Sequence, residues 1–408
     1  MQARKVLALG GGFAAYRFVR DLRNVNYQLT LAAPRNHFLF TPLLPSTTVG
    51  TLEFRSILEP FRRTCPWATF HLFEAVSLDV SRKVIQGRSP LDGVEAELPF
   101  DDLIIAVGAI AGTFGVPGVL EHALFLREVP DSRRIRRRVL DCLERASGPD
   151  IDPERRKKLL HFVVVGGGPT GVEFSAEMHD FLWSDLKIAY PNLVDEVRIT
   201  ILEATHQLLG IFDQTLSDYA AKRFTRAHIT VRTKSTVTRV EEEKLYLQDG
   251  EEIPFGLLVW ATGNAPNPFT SALPFAKEKG RLVVDEYLRV KGEESIYALG
   301  DCAVVEGNAM PATGQVAEQQ GKYLAHTFRL RAKGKPFPPF LYRPMGMLAY
   351  VGGHRAVADL PGIKGHGFGV YLFWRSVYLT KLISFRNKVM VVFGWLRTFL
   401  FGRDLSRI

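Results

Sequence analysis

Two stretches decide the fold: Lys5–Phe18, KVLALGGGFAAYRF, and His161–Met178, HFVVVGGGPTGVEFSAEM. Each runs from an apolar strand pattern through a glycine cluster into a helical pattern. In that context a G-x-G-x-x-G turn brings backbone N–H groups and a helix N-terminus against a pyrophosphate. In the second stretch Gly166, Gly168 and Gly171 occupy all three positions. They permit, in turn, the tight bend, close approach of the phosphates, and packing of helix on strand. In the first, Gly10 and Gly12 are in place and Ala15 stands third. Two such turns in one chain predict two dinucleotides, and the economical chemistry for the pair is hydride transfer from a nicotinamide to a flavin.

Working outward, the strand after the second turn, VRITILE, ends in Glu203. An acid there accepts hydrogen bonds from both ribose hydroxyls, although it lies beyond the usual ~20 residues because the helix FSAEMHDFLWSDL is long. It also repels a 2′-phosphate, and Ala204, Thr205 and His206 supply no Arg to bind one, so NADH is expected over NADPH. The corresponding strand of the first unit reads LTLAAPRN, and no acid occurs between Asp21 and Glu53. FAD is expected at that turn without the ribose carboxylate. ALGDCA, Ala298–Ala303, puts Gly300 and Asp301 at a strand end, where an Asp accepts from a ribityl hydroxyl. In GQVAEQQGKYLA, Gln315 and Gln319 lie one helical turn apart and share a face. Their uncharged amides can bond carbonyl oxygens of a flavin or quinone.

A chain of 408 residues predicts more than one domain. The expected order is a FAD-binding first part (1–115), an NADH-binding domain (116–265), a FAD-binding second part (266–335) and a closing region (336–408). The fold class is α/β: two Rossmann-like dinucleotide-binding domains plus a C-terminal amphipathic helical membrane-association region. Cys65, Cys142 and Cys302 stand alone, which argues against structural disulfides, a metal site and a redox dithiol. The net charge is +9, but no nucleic-acid motif accompanies it. From Gly369 onward there are seven Lys/Arg and one acid, Asp404, among large apolar residues. Arg375, Lys381, Arg386, Lys388, Arg397 and Arg403 are expected over the phosphates of an anionic lipid surface, with Trp374, Tyr378, Trp395 and Phe399 in the interface. A core or homodimer helix is the competing use of that stretch. No apolar run approaches the ~20 residues of a membrane span. The chain enters its first strand at once, so no leader is expected. The predicted place is the cytoplasmic face of a bacterial inner membrane, or the mitochondrial inner membrane after removal of a presequence.

Almost end to end, the chain resembles a type II NADH dehydrogenase, the single-subunit NADH:quinone oxidoreductase. The resemblance rests on FLFTPLLPSTTVGT (Phe38–Thr51), VVVGGGPTGVEFSAEM (Val163–Met178), VWATGNAPNP (Val259–Pro268), ALGDCA, GQVAEQQGKYLA, and the closing MGMLAYVGGHRAVAD, WRSVYL and RNKVMVVFGW. It implies non-covalent FAD, NADH as donor, a membrane quinone as acceptor and no proton pumping. It also implies that Thr41, Pro42 and Leu43 line the flavin together with Ala106 and Gly108, and that Gly263 belongs to the NADH site. Glu173 would face nicotinamide and flavin. Gln315 would lie beside the flavin and the quinone head, with Gln319 nearby. The family's A-Q-x-A-x-Q is here G-Q-x-A-x-Q, and Ala14, Ala15 and Ala33 replace two glycines and an acid. A flavin-poor relative that senses NADH at a membrane is the alternative.

Overall fold

The computed structural model describes residues 3–23 and 25–407. Two compact units account for it. Unit 1 comprises 1–39, 58–110 and 264–344; unit 2 comprises 40–57, 111–263 and 345–408. Each glycine stretch forms a strand–helix–strand motif. In unit 1 these are β1 (Arg4–Leu9), α1 (Phe13–Asp21) and β2 (Tyr27–Ala33). In unit 2 they are β3 (His161–Val165), α2 (Pro169–Phe181) and β4 (Arg198–Leu202).

In both units the first strand sits at the centre of a five-stranded parallel sheet, with the second strand beside it. The order in unit 1 is Ile296–Ala298, Asp102–Ile105, β1, β2, Thr69–Leu72. In unit 2 it is Leu124–Phe125, Leu257–Trp260, β3, β4, Ile229–Arg232. Strands buried on both faces explain the unbroken apolar runs: Val6–Leu9 and Phe162–Val164 are at most 1% exposed. Each unit also carries a three-stranded antiparallel meander, Glu74–Asp79, Val84–Arg88 and Glu95–Pro99 in unit 1 and Val237–Val240, Lys244–Leu247 and Glu252–Pro254 in unit 2.

The long helix expected after the second turn changes character. α2 ends at Phe181, and Leu182–Leu186 continue as one π-helical turn. The longer helix, this turn and the segment that follows it to Glu196 together account for the distance in sequence between the glycines and Glu203. The closing residues, 345–408, cluster with unit 2, as do 40–57. The closing part begins as an antiparallel sheet, Met347–Tyr350, Ala356–Leu360 and Ile363–Gly367.

Three further helices matter for function: α3 (Gly314–Arg331) in unit 1, and α4 (Phe368–Lys381) and α5 (Phe385–Phe401) in unit 2. α1 and α3 pack at small residues: a Cβ added to Gly321 would lie 2.3 Å from the carbonyl oxygen of Ala14. On α4, Tyr371 and Trp374 turn inward, while Phe368, Leu372 and Phe373 are exposed. Among the described residues, no helix is long and apolar enough to cross a membrane.

Several residues expected at a lipid interface lie elsewhere. Trp374 is 3% exposed and Trp395 is buried, with the Arg375 guanidinium over the Trp395 ring. Arg397 pairs with Glu53, and Arg403 pairs with Asp185. Helix periodicity shows which side chains share a face, but the burial of that face depends on the sheet and helix it meets.

Candidate active site

The first glycine turn is shaped by two constraints. Gly10 adopts φ +114°, and a Cβ there would lie 2.1 Å from the Ala106 carbonyl oxygen, so only glycine fits. Its N–H is held by Ala32 O at 2.8 Å. Gly12 caps α1 without a side-chain acceptor, and a Cβ there would meet nothing within 4 Å. The helix start is therefore open to an anion. Ala15 is fully buried and fills the packing position of the third glycine. Gly108, at φ +68°, likewise faces open space, and Gly300, at φ +71°, precedes Asp301 in a tight turn held by Gln320. This cradle fits the diphosphate and ribityl parts of FAD.

Ala33 ends β2 fully buried. The guanidinium of Arg35, which sequence reasoning passed over, donates to the carbonyl oxygen of Gly11 at 3.2 Å. A cation thus borders the loop at which an acid was the expected partner.

The second turn repeats the first. Gly166 also has φ +114°, and its N–H is held by Leu202 O at 2.8 Å. Gly168 caps α2 with open space beside it, whereas a Cβ on Gly171 would sit 2.0 Å from Gly166 O. Glu203 occupies the place that Ala33 has in unit 1. Its Oε2 accepts from the Gly167 N–H and its Oε1 from the Thr205 N–H, both at 2.7 Å. The carboxylate braces the glycine loop. Gly263, at φ +79°, follows the strand Leu257–Trp260, and its carbonyl accepts from Gly112 N–H.

Glu173 lies on α2 and is only 6% exposed. Its Oε1 accepts from the Tyr350 N–H at 3.1 Å and the Trp374 indole N–H at 3.2 Å. Burial pushes its pKa up to about 8; the hydrogen bonds from Tyr350, Trp374 and Tyr378 oppose the shift and the nearby Glu177 adds to it. One turn along, Glu177 accepts from Ser46 Oγ at 2.6 Å and Thr51 Oγ1 at 2.8 Å. Those residues follow the short 3₁₀ turn Thr41–Leu43, in which Leu43 is buried and Thr41 exposed. Arg403 faces Glu177 at 3.6 Å and binds Asp185 at 2.6 Å. The π-helical turn supplies Asp185, so it completes this buried cluster. Tyr350, Trp374 and Arg403 were not singled out as partners of these acids, because nothing local in their sequence marks the contact.

In unit 1, Gln315 and Gln319 share a face of α3 but differ in engagement. Gln319 bonds the Arg343 main chain twice, Nε2 to O at 2.8 Å and N–H to Oε1 at 3.1 Å. Gln315 Oε1 accepts from the Tyr342 hydroxyl at 2.7 Å.

Residues 4–321 match the pyridine nucleotide-disulphide oxidoreductase family, and residues 345–404 match the NDH2 C-terminal domain. A probable NADH dehydrogenase of Dictyostelium discoideum is 42% identical over all of this chain and 92% of its own length. An internal alternative NAD(P)H-ubiquinone oxidoreductase A1, mitochondrial, of Solanum tuberosum is 41% identical, over all of this chain and 88% of the relative. NDH2 from Plasmodium falciparum, solved in complex with NADH, superposes with a TM-score of 0.93 at 29% identity, over 99% of both chains.

The chain belongs to the type II NADH dehydrogenase family. Some members of the wider pyridine nucleotide-disulphide oxidoreductase family are named for disulphide chemistry, yet Cys65, Cys142 and Cys302 are buried free thiols here. Burial pushes them up to about 12, 11 and 11, which suits inert core residues.

Proposed function

We propose that this chain oxidises NADH through FAD and reduces a quinone: NADH, one proton and quinone give NAD⁺ and quinol. The observation that carries this is the pair of glycine turns with one backbone geometry, only the second of which is met by an acid at the end of the neighbouring strand. Gly10, Gly12 and Ala15, with Ala106, Gly108, Gly300 and Asp301, are assigned to FAD, as are Thr41, Pro42, Leu43 and Gln315. Gly166, Gly168, Gly171, Glu173, Glu203 and Gly263 are assigned to NADH. FAD, when bound, supplies two-electron chemistry between donor and acceptor.

The side chains supply position and one proton. Glu203 aligns the ribose and excludes a 2′-phosphate. Glu173 holds a proton on its carboxyl at neutral pH, because its buried site disfavours the anion, and is the proton source assigned to the reduction. Gln315 donates an amide N–H to the acceptor carbonyl. Gln319 serves that site indirectly, by clamping the main chain.

The acceptor is a membrane quinone, and the docking surface proposed is the exposed apolar face of α4 and α5. Phe373 on α4 and Phe385, Phe393, Phe399 and Phe401 on α5 are 44–82% exposed, and Lys381, Arg386 and Lys388 flank them. Apolar side chains edged by cations suit an anionic lipid interface, bacterial or mitochondrial. Phe393→Ser with Phe399→Ser should release the protein from anionic vesicles in flotation. A variant that still floats, or a parent that is a stable dimer closed by this face, sinks the lipid reading.

For the reaction itself, NADH is added anaerobically to the purified, FAD-reconstituted protein, followed by a short-chain quinone. Bleaching of the flavin by NADH and its return with quinone are expected. Protein that takes up no FAD would leave only the NADH-sensing alternative.

A further inference from the structure

α3 starts at Gly314, capped by Thr313. After it, residues 335–344 return along the helix without regular secondary structure. Aromatic and backbone contacts within unit 1 hold this strap. The Tyr323 hydroxyl donates to Pro338 O at 2.8 Å, and the Phe340 N–H to Glu286 O at 2.7 Å. Phe337 packs edge-on to Tyr287 at 5.7 Å between centroids. Gln319 then fixes the Arg343 main chain in both directions. The residue before Arg343 is thereby delivered to Gln315, whose Oε1 accepts from Tyr342 at 2.7 Å.

An amide has one acceptor end and one donor end, and rotation about its last bond exchanges them. A quinone carbonyl only accepts, so a Gln that serves it must present the N–H end. A phenol is a better donor than acceptor, so donation to Oε1 favours that orientation by up to about the worth of one hydrogen bond.

We propose that Tyr342 is a positioning residue for quinone reduction: carried on the strap that Gln319 clamps, it fixes the Gln315 amide with its N–H end toward the acceptor carbonyl. This rests on the assignment of Gln315 to the acceptor. The two glutamines of the motif then have separate duties, one holding the strap and one held by it.

The test uses the FAD-loaded full chain and Tyr342→Phe, which keeps the ring and removes the hydroxyl. KM for a short-chain substituted benzoquinone should rise about five- to tenfold. Flavin reduction by NADH, and turnover with ferricyanide, which has no carbonyl to bind, should stay at parental rates. In a Gln315→Ala background the same change should add nothing. Unchanged quinone KM, equal loss with ferricyanide, or full additivity overturns the proposal. If Gln315→Ala itself leaves quinone KM unaltered, the assignment of Gln315 fails instead. Should Tyr342→Phe lose FAD, Gln319→Leu replaces it. It frees the Arg343 main chain that delivers Tyr342, so quinone KM should rise in the parent and not further in the Gln315→Ala background, and a parental KM or equal rises in both overturn the proposal.

Discussion

The helices that follow the two glycine turns differ most where the turns agree most. Gly10 and Gly166 share φ +114° and a 2.8 Å hydrogen bond to the neighbouring strand. Counting equally from them, Arg17 and Asp21 of α1 stand where Glu173 and Glu177 stand in α2. In α1 that pair is an ordinary i,i+4 salt bridge at 2.7 Å, with both side chains about one-fifth exposed. In α2 it is two buried acids, one of them pushed up to about 8. Phosphate binding constrains the backbone of the first turn and leaves the next positions to other uses. One copy spends them on surface stability and the other on a buried charge cluster.

The largest effect expected from this contrast concerns Arg403. Its side chain is 9% exposed and faces Glu177 and Asp185. Removing one partner of a buried ion group costs about 3–5 kcal/mol, because the acids are left uncompensated. Arg403→Leu should lower the melting temperature by roughly 10 °C. Arg17→Ala should cost less than about 1 kcal/mol by the same assay, although Arg17 also meets Glu318 at 2.8 Å. Similar losses in both variants would erase the distinction between the helices.

Glu173→Gln separates the proton from the fold. Quinone reduction should drop by about 10²-fold, the usual worth of one positioned acid. The parent rate should decline above pH 8 as Glu173 ionises, and the variant should lack that decline. Stability gives an independent check. An unfolded Glu173 ionises near its ordinary value of 4.5, whereas the folded one keeps its proton to about 8. The folded state then binds more protons between those values, so the group's contribution is complete below 4.5 and is lost as pH rises through 8. Melting temperatures of parent and Gln variant, measured across that window, should diverge in the variant's favour.

What the sequence revealed follows the same division. The glycine turns were legible because their constraint is covalent and local: a backbone that must take φ +114° beside a carbonyl admits one residue type. Glu203 was legible across a π-helical insertion because a strand end is a fixed place in the topology. The partners of Glu173 were not, since Tyr350 comes from a later strand and Trp374 from a later helix. On α4 the aromatic spacing was visible, but Trp374 and Phe373 look alike in sequence and face opposite ways. Gln319 shared a face with Gln315, yet its spacing could not show that main chain already occupies both its amide atoms.

Glu203 sharpens the comparison of the strand ends. It braces Gly167 as well as being the residue proposed for the ribose, so Glu203→Gln keeps an acceptor for one amide while removing the charge. The ratio of kcat/KM for NADH over NADPH should fall about tenfold, in line with loss of one charge-assisted bond and of repulsion toward a 2′-phosphate. An unchanged ratio would make the carboxylate a loop brace alone.

The smallest effect is expected at its counterpart, Ala33. A Cβ built on Gly11 lies 3.3 Å from the Ala33 Cβ, and one built on Gly167 lies 3.2 Å from the Glu203 Cβ, so the two sites have nearly the same room. Ala33→Asp would therefore place a carboxylate near the Gly11 N–H, as Glu203 lies on Gly167. What differs is Arg35, whose guanidinium already borders the loop and donates to Gly11 O at 3.2 Å. The new acid has two calls on it, the ribose and the arginine, and only the first tightens FAD. A gain of about threefold in FAD retention during dialysis is expected, below the worth of a full hydrogen bond. Ala33→Asp with Arg35→Ala should retain FAD better than either change alone if Arg35 competes for the acid. If the double variant retains less, the guanidinium is itself an adenosine-side ligand, and the first unit has replaced its ribose acid with a cation.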